Sequence, residues 1–286
     1  MLAELALWLT TPANRMTRRL GLVSESVALW ARGRRQHKAW AEHHQRCRAL
    51  IESVVAELPR HRTVAVLGSG LLRDIPLPLL RERFERVLLV DAVHMPQIRL
   101  AAAFQPDVTL VTRDLCGVMG WLGGQDDGRF DPVADLVADG TLDLVISAIL
   151  MSQFGWPIAD WLDENPARAA RLPRDLAARC IAWHRDDLAR FSCRVVLLTD
   201  VEMVERDRSG AVVERFELMR GTVLPAPDES WDWKVAPFGE ASAERETVHR
   251  VGGWRDLGRA SKPKEPVATT EPHRHSGAPA GRARNP

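Results

Sequence analysis

The chain has 286 residues, a length that suits one large α/β domain with attached segments. Its 45% hydrophobic and 27% charged residues match ordinary globular usage, which excludes a fibrous or wholly disordered protein. The net charge of +1 hides three unlike segments, because basic and acidic residues number 9 and 5 in residues 1–59, 23 and 30 in 60–254, and 7 and 3 in 255–286. The longest apolar run, Leu142 to Met151, is shorter than the roughly 18 residues of a membrane span.

Cysteine spacing and the first residues indicate the compartment. The closest cysteines, Cys180 and Cys193, are 13 positions apart, which is no disulfide-framework or metal-ligand spacing. His43-His44 and His273-Arg-His275 also lack enough partner ligands for a metal site. The N-terminus carries Glu4 where a signal peptide has basic residues. We therefore predict a cytoplasmic protein without a bound metal.

The first 59 residues have helical periodicity and are predicted to form a helical cap or lid. The period then changes to five short, nearly unbroken apolar runs, which are typical of strands buried on both faces of a parallel sheet. Helix-like stretches separate them, so the pattern predicts a doubly wound α/β domain over residues 60–254. The runs begin at Thr63, Arg86, Val108, Leu142 and Arg194, and the helical stretches at Pro78, Pro96, Pro132 and Pro173.

The C-terminal part of this domain has a different pattern. Short apolar segments flank the turn signal at Asp207–Gly210, and two more lie at Trp231–Val235 and Glu246–Val251. They predict antiparallel strands that extend the sheet. Residues 255–286 are rich in proline and nearly free of large apolar side chains, so we predict a disordered basic tail.

Ligands of open parallel sheets bind beyond the carboxyl ends of the strands, so the residues that follow each strand are the candidate site. They are Gly68, Ser69 and Gly70 after the first strand, Asp91 after the second, Asp114 after the third and Ser147 at the end of the fourth. Glycines allow close backbone approach to a ligand, and a carboxylate in the place of Asp91 accepts hydrogen bonds from ribose. A tight turn at the glycines and a helix cap at Asp91 are structural alternatives.

A nicotinamide site is disfavoured, because Arg73 occupies the place of the third glycine in the dinucleotide motif and Pro76 and Pro78 delay the helix. The order VAVLGSG, VLLVDA, VTRDL, LDLVISAIL and RVVLLTD instead resembles the class I S-adenosylmethionine-dependent methyltransferase superfamily, which has a Rossmann-like fold. The resemblance covers about residues 60–254.

The resemblance implies a role for each strand end. Gly68, Ser69 and Gly70 would cradle the methionine part of S-adenosylmethionine, Asp91 would hold the ribose, and Asp114 with Leu115 would lie by the adenine. The end of the fourth strand, Ser147 and its neighbours, would border the transferred methyl group. Two positions depart from the family pattern, since Val66 replaces an acidic residue and Leu72 replaces a third glycine. Asp74 and Arg73 are therefore candidates for holding the amino-acid end of the cofactor.

Methyl transfer needs positioning of the acceptor and, where the acceptor must lose a proton, a general base. His94, Asp200 and Glu202 lie at strand ends and are candidate bases, although each could be only a loop residue or a solvated charge. We expect a small-molecule methyltransferase, for which an anionic substrate would suit the basic N-terminal segment. A non-catalytic protein that binds a nucleoside or a partner is an alternative. RNA modification through Arg32, Arg34, Arg35 and Lys38 is another.

Overall fold

The computed structural model describes residues 1–125 and 127–260, which are organised around one eight-stranded sheet. The first five strands run parallel in the order β3-β2-β1-β4-β5, and β8 and β7 continue the sheet, with β8 antiparallel to both of its neighbours. The fold class predicted from the sequence, a doubly wound and mostly parallel sheet with antiparallel C-terminal strands, is confirmed. The strands are β1 Thr63–Leu67, β2 Arg86–Asp91, β3 Val108–Thr112, β4 Leu142–Ala148, β5 Arg194–Asp207, β6 Val212–Glu217, β7 Glu229–Ala236 and β8 Arg245–Trp254.

Helices cover both faces of the sheet, as the absence of polar alternation in β1 and β4 requires. Helices α4 and α5 pack on one face, and α8 and α11 pack on the other. The helices are α1 Leu2–Thr10, α2 Arg15–Arg19, α3 Leu22–Arg35, α4 Ala41–Glu57, α5 Leu77–Arg83, α6 Pro96–Ala103, α7 Met119–Gly123, α8 Ala134–Ala138, α9 Gly155–Glu164, α10 Pro166–Ala169, α11 Leu176–Ala189 and α12 Leu257–Ala260, with a 3-10 turn at Met151–Phe154.

The N-terminal segment divides into two parts with different roles. Helix α4 is a core helix, because Cys47, Ile51 and Val54 are fully buried against the sheet. Only α1–α3 lie in the position expected of a cap. Val23 and Val27 of α3 pack against the loop that follows β2, and α2 contacts α7. Helix α4 therefore packs with the sheet although it precedes residue 59, and the domain boundary predicted there stays a prediction.

The C-terminal strands form a ribbon that continues past the end of β4. Strand β5 pairs with β4 only as far as Leu198, and its remaining residues pair with β6 and β8. Part of the predicted tail is ordered, because α12 packs on β5 and Leu257 is buried. The rest of the tail prediction, from residue 261, lies outside the described residues. Within the part of the chain that the structure describes, no helix combines the length and apolarity needed to cross a membrane.

Candidate cofactor and substrate site

The loop after β1 has the backbone of a ligand-binding turn. Gly68 and Gly70 adopt φ angles of 77° and 47°, which glycine tolerates best. A Cβ on Gly68 would lie 2.7 Å from the Leu150 side chain, so Gly68 allows that side chain to pack against the loop. A Cβ on Gly70 would meet only its own loop, so Gly70 leaves open space beside the backbone. Ser69 is buried, and its hydroxyl has no hydrogen-bond partner within the described residues.

Asp91, at the end of β2, holds this loop in place. Its Oδ2 accepts a hydrogen bond from Gly70 N at 2.7 Å, and its Oδ1 accepts one from Val93 N at 3.1 Å. Burial raises the pKa of the carboxyl, and these amide hydrogen bonds oppose the rise. Each carboxylate oxygen has a second lone pair, so Asp91 can still accept hydrogen bonds from a ligand.

Asp114 orders the loop after β3. Its Oδ1 accepts hydrogen bonds from Cys116 N and Gly117 N, and its Oδ2 accepts one from Met119 N at the start of α7. These are the bonds of a turn and helix cap. Leu115 is 3% exposed and packs under the sheet. The carboxylate therefore fixes the loop conformation near the predicted adenine position.

Ser147 does not border the open edge of the sheet. Its side chain is fully buried beneath α11, where the hydroxyl hydrogen bonds to His184 Nε2 at 2.9 Å. Neighbouring residues on β4 point to opposite faces, and Ser147 shares its face with Val145 rather than with Ile146. The Ser147 hydroxyl is therefore engaged in the core, and the neighbours that follow it, Ala148 to Ser152, lie at the edge. The role that the resemblance implies for this strand end stays a prediction.

Asp74 also points away from the predicted cofactor. Its Oδ1 lies 3.3 Å from His43 Nε2 and 3.5 Å from His44 Nε2, both on α4. Burial alone would raise the pKa of Asp74, but the hydrogen bond from His43 and the nearby basic groups hold it below the usual range. The carboxylate ties the glycine-rich loop to α4, and its contact with the amino-acid end of the cofactor stays a prediction.

Three donor atoms in this region have metal-like spacing, since those of His43, Cys47 and Asp74 all lie within 4.8 Å of one another. The hydrogen bonds favour a metal-free cluster. Trp231 Nε1 donates to His43 Nδ1 at 3.1 Å, which places the imidazole proton on Nε2, facing Asp74. Burial also raises the pKa of the Cys47 thiol well above its usual value. Metal ligation would require both donors to lose these protons.

His94, a predicted base, is 1% exposed and lies between Val93 and Met95, which pack against α3. Its Nε2 donates to the Val111 carbonyl at 3.2 Å, so Nδ1 carries the lone pair, and Nδ1 has no partner within the described residues. Burial lowers the pKa of the imidazole. His94 therefore offers a hydrogen-bond acceptor close to Asp91, in a position too enclosed for a base that meets a substrate.

The two acidic candidates on β5 differ in their surroundings. Asp200 is 5% exposed and accepts hydrogen bonds from Ser152 Oγ and from His249 Nδ1, the latter at 2.5 Å. Burial would raise its pKa, but these bonds lower it. Glu202 instead pairs with Arg215 across β5 and β6. The sequence alone does not indicate a role for His249, because its contact with Asp200, 49 positions away, depends on strand register.

The basic segment of α3 is largely occupied by contacts within the protein. Glu240, in the β7–β8 connection, pairs with Arg35 and lies 3.7 Å from Arg32. The Arg34 guanidinium stacks 4.9 Å from the Trp30 ring. Lys38 follows the helix and is exposed. These contacts leave the predicted nucleic-acid surface and the predicted attraction of an anionic substrate without support.

Known proteins resemble this chain in structure but not in sequence. No protein-family model matches the chain, and no curated protein matches its sequence. Solved structures of methyltransferases are similar at low identity. A Haloferax volcanii methyltransferase, in complex with the activator Trm112, is 17% identical to this chain, with a TM-score of 0.31. The match covers 57% of this chain and 54% of that protein, so it spans about half of that relative's length. The 1,6-didemethyltoxoflavin-N1-methyltransferase of Burkholderia thailandensis, with S-adenosylhomocysteine bound, is 15% identical over 73% and 78%, with a TM-score of 0.34. An S-adenosylmethionine-dependent methyltransferase of Leishmania major is 12% identical over 87% and 81%, with a TM-score of 0.34.

Proposed function

We propose that the chain is an S-adenosylmethionine-dependent methyltransferase that acts on a small molecule. The proposal rests on the loop Gly68–Gly70, which a hydrogen bond to Asp91 holds in place. The loop contains the Ser69 hydroxyl, which is buried and has no hydrogen-bond partner within the described residues. A buried polar atom without a partner is costly, and a ligand that bonds to it removes that cost. The loop lies at the carboxyl ends of the parallel strands, where this class of sheet binds ligands.

The residues present fit the cofactor in its nucleoside half. Gly70 has open space beside its Cα, and Asp91 retains lone pairs for ribose hydroxyls. His94 Nδ1 adds an acceptor nearby, and Leu115 packs below the loop after β3. Because Asp74 contacts His43 and His44, Arg73 is our candidate for the amino-acid end of the cofactor; it is half-buried and donates a hydrogen bond to the Trp30 carbonyl.

When bound, S-adenosylmethionine supplies an electrophilic methyl group on sulfur. The protein's part is to align the acceptor and exclude water, which lowers the barrier without covalent catalysis. Helix α3 contributes to both, because Val23 and Val27 cover the loop after β2 and Glu240 ties the helix to the β7–β8 connection. Helix α3 thus covers the loop that follows Asp91.

Calorimetric titration with S-adenosylmethionine and S-adenosylhomocysteine tests the proposal. We expect saturable binding to the wild-type protein and at least tenfold weaker binding to Asp91→Ala, since this change frees the loop and removes the ribose acceptor. Asp107→Ala is the matched control, because that carboxylate pairs with Arg81 before β3 begins. An absence of heat at millimolar cofactor would refute the proposal, and binding without methylation of any acceptor would indicate the non-catalytic nucleoside-binding alternative.

A further inference from the structure

One row of side chains crosses the C-terminal ribbon and differs from its surroundings. Phe216 on β6 is paired with Met203 on β5, Met203 with His249 on β8, and His249 with Trp233 on β7. Residues directly opposite one another in antiparallel strands project from the same face. The row is therefore aromatic and apolar, with His249 as its one titratable member, and we call it the His249 row.

The aromatic character of the His249 row extends to neighbouring elements. The Trp233 and His249 rings meet edge to face at 5.8 Å, and Trp156 of α9 meets Phe216 in the same way at 6.1 Å. Trp156 is 44% exposed, and the Trp233 indole nitrogen is buried without a partner within the described residues. Trp233 is 7% exposed and stacks on His43 at 4.0 Å, so it supports His249 from the core, whereas the exposed Trp156 ring favours stacking and edge contacts with a planar ligand.

The local backbone brings Asp200 to His249. A bulge between Asp200 and Glu202 leaves Val201 unpaired, so Asp200 is opposite Val251 while Met203 is opposite His249. Asp200 thereby accepts the His249 Nδ1 proton at 2.5 Å, and Ser152 donates to its other oxygen. With Nδ1 protonated, the lone pair of the neutral ring is on Nε2, which makes no hydrogen bond within the described residues.

We infer that His249 is the general base of this site and that the acceptor is a planar aromatic molecule whose nucleophilic oxygen or nitrogen carries a proton. The inference rests on the proposed function. Asp200 is the positioning residue, because it fixes the tautomer and orientation of the imidazole and offsets the positive charge that the ring acquires. Ser152 in turn holds the carboxylate.

Methyl transfer at this site moves one proton to His249 and one electron pair to the cofactor sulfur. The acceptor oxygen or nitrogen gives a lone pair to the methyl carbon, and its own proton passes to His249 Nε2. The carbon–sulfur bond breaks with both electrons going to sulfur, which leaves the neutral thioether. His249 then releases the proton to water. The other histidines near this edge lack that freedom, because His43 accepts a hydrogen bond from Trp231 on Nδ1 and faces Asp74 with Nε2, and His94 is enclosed.

The first test compares two planar probes of similar size, 2-naphthol, which must lose a proton on methylation, and quinoline, which has none to lose. We expect His249→Gln to slow single-turnover methylation of 2-naphthol about 100-fold or more. Methylation of quinoline should change less than threefold, and the calorimetric affinity for S-adenosylmethionine should change less than twofold. Equal losses with both probes, or retention of a third of the 2-naphthol rate, would overturn the assignment.

Asp200→Asn tests the positioning role. We expect kcat for 2-naphthol to fall about tenfold while its KM stays within twofold. The rate is normalised to the number of S-adenosylmethionine-binding sites counted by calorimetry, so that loss of folded protein does not lower it. Glu205→Gln is the matched control, since that carboxylate lies on the same strand and pairs with Arg245. A loss in Glu205→Gln equal to that in Asp200→Asn would refute the role of Asp200.

A chemical probe works without turnover. Diethyl pyrocarbonate acylates accessible neutral imidazoles, and we expect mass spectrometry to find His249 modified and His184 unmodified in the native protein. 2-Naphthol should slow the modification of His249 at least threefold, with or without S-adenosylmethionine. No protection would overturn the acceptor class even if the cofactor binds, whereas failure of cofactor binding alone would refute the proposed function and leave the protection result to decide the ligand class.

Discussion

The pair formed by Ser147 and His184 allows a quantitative prediction about acid stability. His184 is 1% exposed, its Nε2 hydrogen bonds to Ser147, and its Nδ1 has no partner within the described residues. Burial, together with a smaller effect of the nearby Arg129, lowers the pKa of the imidazole to about 3. The folded protein therefore keeps this ring neutral at pH values where the unfolded chain protonates it.

The sign and size follow from proton linkage. The unfolded histidine titrates near 6.5, so below that pH the unfolded state binds the additional proton and stability falls as the pH falls, until the folded ring also protonates near 3. Between pH 7.5 and pH 5.0 this one group removes about 2 kcal/mol from the free energy of unfolding. Gln at position 184 does not titrate, and its amide can still bond to Ser147.

Urea denaturation of the wild-type protein and His184→Gln at the two pH values measures the effect. The difference between their free energies of unfolding should change by about 2 kcal/mol, with the wild type losing more on acidification. Parallel pH dependence in the wild type and His184→Gln would refute the assignment of a neutral buried ring.

Three further outcomes are expected. Leu72 has a φ of 58°, a left-handed conformation in which a Cβ costs roughly 1 to 2 kcal/mol. The free energy of unfolding in urea should therefore be about 1 kcal/mol higher for Leu72→Gly than for Leu72→Ala. The reverse order would contradict the left-handed backbone. Glu240→Gln should speed amide hydrogen exchange in α3 about fivefold by weakening its contact with the β7–β8 connection, while exchange in α11 stays constant as an internal control. Ser147→Ala should cost about 1 to 3 kcal/mol of unfolding free energy, because it leaves the buried His184 without its partner, and a neutral result would show that the ring finds another.

The sequence predicted the parallel strands well because a strand buried on both faces is marked by an apolar run that needs no knowledge of its neighbours. The helix α4 was assigned to a cap because amphipathic spacing shows that one face is buried but does not show what buries it. Cys47 and Ile51 pack on the sheet that follows them in the chain. Periodicity therefore found the helix and missed its place in the fold.

The sequence predicted which loops lie at the site better than it predicted where their side chains point. Gly70 and Asp91 are brought together because both lie in loops at the same edge, which topology alone dictates. Ser147 is one residue short of the strand end, and its direction depends on which face α11 covers. His249 meets Asp200 only through strand register and a bulge at Val201, neither of which leaves a mark in the local sequence.

The place of α4 in the core has a consequence for synthesis on the ribosome. Its partners include β7 and β8, and β8 ends at Trp254, roughly 200 residues after the helix, so about 10 to 40 s of translation separate them at ordinary elongation rates. Throughout that interval the apolar face of the helix is made but its complete docking surface is not. The nascent chain therefore has to shield this face, by transient contacts with β1 to β4 or by a chaperone, until the last strand emerges.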